Sequence, residues 1–308
     1  MDQQRKIINE EDELGFIDVV REVWRKRWIV AVVTGVMAIL STLYGVSISK
    51  EYTSRAILAP SDSSGSSSVS RIAGEFGGLA SLAGVRLPNS GGGKAAIALE
   101  ILQTWGFIER FIAEHELQVA LMAAIGWDKK KNSLIIDDSI YDVSRNHWRL
   151  GEDGNEVIPS SWQLYNQFLN RLEVSEDKKT GFVSIAIEYY SPYIAKQWVD
   201  NLVVSLNSYM QQVEKHQAEK SISYLQQQIE KTEISEMRSI FFQLIEEQTK
   251  TLMLTSVSDE YVFRTISSAK VAEQKSKPRV PLIIAVFTML GFIGSMVYVV
   301  LGFAFRSG

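Results

Sequence analysis

The residues VPLIIAVFTMLGFIGSMVYVVLGFAF, Val280 to Phe305, decide the fold of this chain. This run of 26 residues carries no charge, and most of its side chains are aliphatic or aromatic. About 20 helical residues cross a hydrocarbon core roughly 30 Å thick, so the run is long enough to span a bilayer. Only residues 306–308 follow it, and we expect the chain to act through the residues that precede this helix.

A second uncharged run, Trp28 to Ile48, has 21 residues and lies near the N-terminus. The two runs predict transmembrane helices at 28–48 and 280–305 that flank one folded domain at 49–279. Two crossings return the chain to the side from which it started. The sequence therefore predicts a two-span membrane protein with both termini on one side of the membrane.

The basic residues next to the first span indicate which side that is. Arg21, Arg25, Lys26 and Arg27 precede this span, and Lys50 and Arg55 follow it. The positive-inside bias thus predicts a cytoplasmic segment 1–27, a periplasmic domain 49–279 and a cytoplasmic tail 306–308 in a bacterial inner membrane. Basic residues just before the second span favour the opposite orientation. We give the first span more weight, because it usually dominates and long loops translocate largely regardless of charge.

Composition limits the classes of partner. The chain has no cysteine, so no disulfide stabilises the domain. Its 32 basic and 36 acidic residues give a net charge of −4, which argues against general binding to nucleic acid.

Two segments have ambiguous composition. Residues 16–24 have apolar side chains at helical spacing, which fits an amphipathic interfacial helix or a plain extension of the first span equally well. Residues 59–94 are rich in glycine and serine, which predicts a mobile loop. Its apolar residues leave open a contact with a partner or polymer. Gly91 to Lys94 resembles a phosphate loop, but Pro88 and Ala95 occupy the positions where that motif needs glycine and a hydroxyl.

Outside that loop, the sequence pattern of 49–190 and 258–279 predicts a mixed α/β base domain. We expect strands at 52–58, 172–175, 181–188 and 261–266, and helices at 95–114 and 159–171. Gly181 fits a bulged turn between the second and third strands. The buried side of the first helix should hold Ile97, Ile101, Leu102, Trp105, Ile108, Phe111 and Ile112. Residues 127–158 read as irregular, with Leu134 to Ile136 and Val143 as short ordered pieces.

Residues 191–257 predict a long helical arm that protrudes from the base. Ser191-Pro192 is a strong helix start, and the next Gly or Pro is Pro278. The apolar stripe slips by about 100° between Ile229 and Ile234. We interpret the slip as a reversal near 231–235 that makes a helical hairpin; a continuous rod with a stutter is the alternative.

Two structural sites are predicted in or beside the spans. Lys277, Pro278, Arg279 and Pro281 form a membrane-proximal motif, in which the helix should begin near Pro281 with the basic side chains at the interface. Small residues four apart, Ala31 with Gly35 and Gly291 with Ser295, should let the spans pack closely. Together with the extended apolar stripe of the arm, this spacing predicts a homo-oligomer.

The sequence predicts no catalytic, cofactor or metal site. His115, His147 and His216 lack metal-ligand spacing, and Asp137-Asp138 is most simply a solvated turn. We therefore expect alanine at either aspartate or at any histidine to leave function nearly unchanged.

Several of these motifs resemble the Wzz family of chain-length determinants, the class 1 polysaccharide co-polymerases. The resemblance lies in Glu11-Asp12-Glu13, Val23 to Trp28, the Ser191-Pro192 helix start with Ala195 and Trp198, and Lys277 to Ile283. It implies an α/β base beside the inner membrane, a long helical arm and a homo-oligomeric ring. It also implies partners, namely the O-antigen polymerase and the growing lipid-linked polysaccharide.

Three functions fit these sequence features. The first is non-enzymatic control of the length of a surface polysaccharide, most specifically lipopolysaccharide O-antigen. The second is an adaptor for export of capsule or exopolysaccharide, working with a separate tyrosine kinase. The third is a two-span periplasmic sensor, for which residues 1–27 and 306–308 offer little cytoplasmic output.

Overall fold

A computed structural model describes residues 24–61, 92–151 and 154–307, with the side chains of 92, 299–300 and 302–307 left out. The predicted helix at 16–24 and the predicted loop at 59–94 lie largely outside these residues. The chain divides into two compact units, one formed by Met1–Lys50 with Ser276–Gly308 and the other by Glu51–Lys275.

The first unit contains two long apolar helices, α1 (Arg27–Ser47) and α8 (Val280–Ser307). The two stretches with the length and apolar composition of a membrane span are Arg27–Ser47 and Val280–Tyr298. Helix α1 lies within one residue of its predicted bounds. Helix α8 extends to Ser307, so Arg306 and Ser307 continue the helix beyond the predicted span.

The second unit is built on a four-stranded antiparallel sheet with the order β6-β7-β1-β8. Its strands are β1 (Tyr52–Pro60), β6 (Leu172–Glu176), β7 (Val183–Tyr189) and β8 (Phe263–Ser267). The predicted return of the last strand to the side of β1 is confirmed, since Ala59 pairs with Arg264. The predicted hairpin of β6 and β7 is also confirmed, and Gly181 in its turn has a φ of 70°.

Helices cover this sheet and complete the core. They are α2 (Gly92–Leu102), α3 (Trp105–Glu114), α4 (Gln118–Met122), α5 (Ser161–Leu169) and α6 (Pro192–Lys231). Trp198 of α6 packs on Tyr189 of β7, with ring centroids 4.5 Å apart. Phe168 of α5 lies between Trp198 and Phe111 of α3, at 6.2 and 5.4 Å. These buried aromatic side chains join the helices to the sheet.

The single helix predicted at 95–114 is wrong. Thr104 adopts an extended ψ of 146°, and its hydroxyl donates to the Ile101 carbonyl at 2.8 Å, so the segment forms two helices. Ile97 and Trp105 are consequently exposed instead of buried. Helix α2 also begins at Gly92, within the segment predicted to be a loop, and the other end of that segment, Ala59-Pro60, belongs to β1.

The segment predicted to be irregular contains two small hairpins. Strands β2 (Ala124–Asp128) and β3 (Ser133–Ile136) form one, and β4 (Tyr141–Asp142) and β5 (His147–Trp148) form the other. The ordered piece at Leu134 to Ile136 is confirmed. Val143 follows β4 and is exposed, so the prediction of an ordered piece there is off by one residue.

The arm is a helical hairpin, as predicted. Helix α6 has 40 residues, and α7 (Ser235–Val257) follows after a break of three residues. The helices run antiparallel, because the Gln211 side chain of α6 donates to the carbonyl of Thr255 near the end of α7. Residues of α6 up to Met210 belong to the core of the base, and beyond them Ala218 is the one buried residue of this helix. At about 1.5 Å per residue, the distal half protrudes by roughly 30 Å.

Candidate functional site

The membrane-proximal motif lies at the start of α8. The Arg279 carbonyl accepts hydrogen bonds from the backbone N–H groups of Leu282 and Ile283 at 2.9 and 3.2 Å, so it caps the first turn. The helix begins at Val280, where Pro281 occupies the first turn and costs no helical hydrogen bond. Pro278 is buried, whereas Lys277 and Arg279 are exposed. The Lys277-Pro278 peptide bond is cis.

The two long apolar helices, α1 and α8, pack antiparallel through small residues. A Cβ built on Gly291 would lie 2.9 Å from Cβ and Cγ of Met37, so the helices approach closely there. Ser295 is buried one turn further along α8. At the other end of the contact, a Cβ on Gly45 would lie 3.3 Å from Val280. Gly45 was not among the small residues predicted to pack.

Ala31 and Gly35 do not form this contact. Both are exposed, and no atom lies within 4 Å of a Cβ built on Gly35. The packed stripe of α1 contains Val30, Ser41 and Gly45 instead. A shift of one residue turns a side chain by about 100° around a helix, which places Ala31 and Gly35 on another face. Their role in contacts between copies stays a prediction.

A buried amide fixes the arm to the sheet. The Asn207 side chain on α6 accepts hydrogen bonds at 2.9 Å from the backbone N–H groups of both Val262 and Phe263. Its amide nitrogen donates to the Phe263 carbonyl at 3.0 Å. Asn207 is 3% exposed and fills a position on an otherwise apolar helical stripe. A polar residue on such a stripe is the sequence signal that could have identified it.

A charged cluster joins α2, α6 and the residues just before β8. Lys94 Nζ lies 3.0 Å from the Glu214 carboxylate and 3.2 Å from the Tyr261 hydroxyl, and that hydroxyl donates to the same carboxylate at 3.2 Å. Partial burial lowers the pKa of Lys94, but the hydrogen bonds and charges of Glu214 and Tyr261 outweigh it and raise the pKa overall. Burial raises the pKa of Tyr261. The cluster thus favours the ammonium form of Lys94 and the neutral phenol of Tyr261.

The histidines and Asp137 bond to different neighbours and form no shared site. Asp137 accepts hydrogen bonds from the Ser139 backbone and hydroxyl at 2.9 and 2.6 Å, which lower its pKa and close a turn. His115 lies between Asn201 and Ser205 of α6, and the His147 ring contacts the Trp148 carbonyl. Within 24–61, 92–151 and 154–307, no three His, Asp or Glu side chains group as metal ligands would.

Comparisons with known proteins give a partial family match. The family model for Wzz, "Chain length determinant protein", matches residues 12–115, about a third of the chain. No curated protein matches. The solved structure of a full-length bacterial polysaccharide co-polymerase is 13% identical, with a TM-score of 0.38 over 94% of this chain and 98% of that one. A fragment of WzzB, a polysaccharide co-polymerase from Salmonella Typhimurium, is 13% identical, with a TM-score of 0.29 over 74% of this chain and 100% of that one.

The family match and the fold agree with two expectations from the sequence. The mixed helix and sheet architecture with long apolar helices near both ends is present. The resemblance to the chain-length determinants is confirmed, because residues 12–115 match the Wzz family.

Proposed function

We propose that this chain regulates the length of a bacterial surface polysaccharide, most specifically lipopolysaccharide O-antigen. The Wzz match at residues 12–115 carries this proposal. The chain would act as a co-polymerase beside the membrane polymerase, without making or breaking bonds itself. Polymer length would follow from the geometry of the assembly.

The exposed apolar surfaces of α1 and α8 support a location in the inner membrane. Both helices are almost entirely apolar, yet most of their side chains are exposed in the single chain. Helices this apolar would be mostly buried if they were core helices of a soluble domain, and an apolar surface of this extent requires a lipid or protein cover. In this proposal both termini are cytoplasmic and 49–279 is periplasmic.

The distal arm supports assembly with further copies of this chain. Helix α7 and Ile234, the residue before it, expose large apolar side chains. Those within the helix are Met237, Ile240, Phe242, Leu244, Met253, Leu254 and Val257. Thr255 is its one buried residue in the single chain. Neighbouring arms would cover these side chains in a homo-oligomeric ring, since contiguous exposed apolar patches mark interaction surfaces.

Deletion of the gene, followed by gel analysis of surface polysaccharide, tests the proposal. We expect loss of the modal band, with polymer still present in a broad distribution of lengths. Complete loss of polymer would favour the export adaptor instead. An unchanged ladder would overturn control of chain length.

A further inference from the structure

Three aromatic side chains stack at the surface of the base, and one of them, Tyr165, is half-buried against the core. They are Trp105 at the start of α3 and Trp162 and Tyr165 on α5, and we call them the aromatic platform. The ring centroids of Trp105 and Trp162 are 5.0 Å apart, and those of Trp105 and Tyr165 are 5.9 Å apart. The ring centroids of Trp162 and Tyr165 are 5.6 Å apart. Each ring therefore contacts both of the others.

Hydrogen bonds within the base fix the platform. The Trp105 indole N–H donates to the Ser161 hydroxyl at 2.8 Å, and the Tyr165 hydroxyl donates to the Gln103 carbonyl at 2.9 Å. Helix α5 itself starts with a complete capping box of Ser160 and Gln163. Because these contacts set the ring positions in advance, a ligand would lose little entropy in ordering them.

The platform remains open to an external ligand. Trp162 is 53% exposed and Trp105 is 42% exposed, although large aromatic side chains normally bury most of their surface. A Cβ built on Gly106, next to Trp105, would meet no atom within 4 Å. Within the described parts of the chain, the indole N–H of Trp162 has no acceptor, so it can donate to a bound molecule.

The nearest sequence neighbours of the platform residues are uncharged, and the first charged residue of α3, Glu109, lies one helical turn beyond Trp105. No Asp, Glu, Lys or Arg lies within two residues of any of the three aromatic residues. The polar neighbours are hydroxyls and amides: Gln103, Thr104, Ser160, Ser161, Gln163, Asn166 and Gln167. Such groups both donate to and accept from hydroxyls, but they do not neutralise an anion.

We propose that the aromatic platform binds the growing polysaccharide through uncharged sugar rings. The C–H bonds on one face of a pyranose carry partial positive charge, and the face of an aromatic ring carries partial negative charge, so the two stack. The sugar hydroxyls at the rim would bond to the surrounding amides and to the Trp162 indole. This inference rests on the proposed function and adds to it a site where the chain touches its polymer.

Binding of oligosaccharides to the full chain in nanodiscs tests this site. The probes are sized oligosaccharides released by mild acid from the lipopolysaccharide of the producing bacterium, with maltoheptaose as a neutral reference and oligogalacturonate as an anionic one. The variants are W162A, which removes a ring, and W162F, which keeps a ring but removes the indole N–H. Y224A is the matched control, because Tyr224 is also aromatic, helical and 61% exposed but lies on the distal arm.

We expect W162A to weaken binding of the released oligosaccharides roughly three- to tenfold, as loss of an aromatic stacking contact would. W162F should keep most of the affinity, Y224A should bind like the wild type, and oligogalacturonate should bind more weakly than the neutral probe. No binding to the wild type, or equal binding by W162A and Y224A, would overturn the proposal. A lower oligomer mass for W162A in the same nanodiscs would also overturn it, by assigning the platform to contacts between copies.

Failure of this site and failure of the proposed function are distinguishable. Loss of the modal band on deletion, together with unchanged binding by W162A, would reject the platform and retain control of chain length. An unchanged ladder on deletion, together with weaker binding by W162A, would reject the function and retain a carbohydrate site.

Discussion

The amide of Asn207 holds the backbone of Phe263 at both its N–H and its carbonyl, at 2.9 and 3.0 Å. One side chain on the arm thus satisfies two backbone groups at the start of β8. Its oxygen also accepts from the Val262 N–H at 2.9 Å. The arm is therefore attached to the sheet by directional bonds as well as by apolar packing.

Replacing Asn207 with alanine should destabilise the chain by about 2–4 kcal/mol, because two N–H groups and one carbonyl would lose their partner inside the core. Urea unfolding of the full chain in detergent measures this change. Q212A is the control, since Gln212 lies on the same helix and is exposed; its change should stay within about 0.5 kcal/mol. Equal stability of the two variants would contradict the role of Asn207.

Replacing Gly291 with alanine should destabilise the helix pair more than replacing Gly294. G291A puts a methyl group 2.9 Å from Cβ and Cγ of Met37, whereas G294A meets nothing within 4 Å. Both changes raise helix propensity equally, so the difference reports the contact alone. We expect G291A to be less stable than G294A by about 1–3 kcal/mol, as overpacking typically costs. The measurement is the mole fraction of SDS at which half of the molecules are unfolded. Similar midpoints for the two variants would show that the added methyl group at position 291 is accommodated without loss of stability.

The cluster of Lys94, Glu214 and Tyr261 should make stability depend on alkaline pH. The pKa values of Lys94 and Tyr261 are raised in the folded chain from 10.5 and 10.0. A group with a raised pKa stabilises the fold fully below its unfolded pKa and loses that effect as pH rises through the folded pKa. K94M should therefore have a lower melting temperature than the wild type at pH 8. The difference between the two melting temperatures should shrink as pH rises beyond 10.5. A difference that stays constant with pH would rule out this linkage.

Much of the base and arm was predictable because local signals determine it. Ser191-Pro192 begins α6 as expected, and the Ser191 hydroxyl accepts from the Ile194 N–H at 3.5 Å. The slip between Ile229 and Ile234 indicated the reversal, because the packed face changes there, and the helix does break at residues 232–234. Gly181 marked a turn that requires positive φ.

Other features depend on tertiary contacts and carry weaker signals. The break at Thr104 contains neither Gly nor Pro, and it places Trp105 beside Trp162 and Tyr165, residues distant in sequence. The packed face of α1 was predicted one residue out of phase, because nearly every side chain of a membrane span is apolar and the pattern does not select a face. The Asn207 contacts required knowing that β8 lies beside α6.

Replacing Pro278 and Pro281 with alanine should alter the length distribution of the polysaccharide but not the amount or assembly of the protein. Alanine permits the helix to extend back towards Lys275, since it restores the backbone N–H that proline lacks. We expect the double variant to insert and assemble at wild-type levels but to give a shorter or broader distribution of polymer lengths. Protein amount, oligomer mass and the polysaccharide ladder are measured together. A normal ladder from a well-expressed variant would show that the prolines serve only local structure.

Graded expression of the wild-type chain in a deletion strain, with the surface polysaccharide resolved on a gel at each level, tests control of length by assembly geometry. If geometry sets the length, the modal band should return at one fixed position, and more protein should only increase the share of polymer in that band. A modal length that shifts continuously with the amount of protein, or a ladder that stays random at every level, would contradict it.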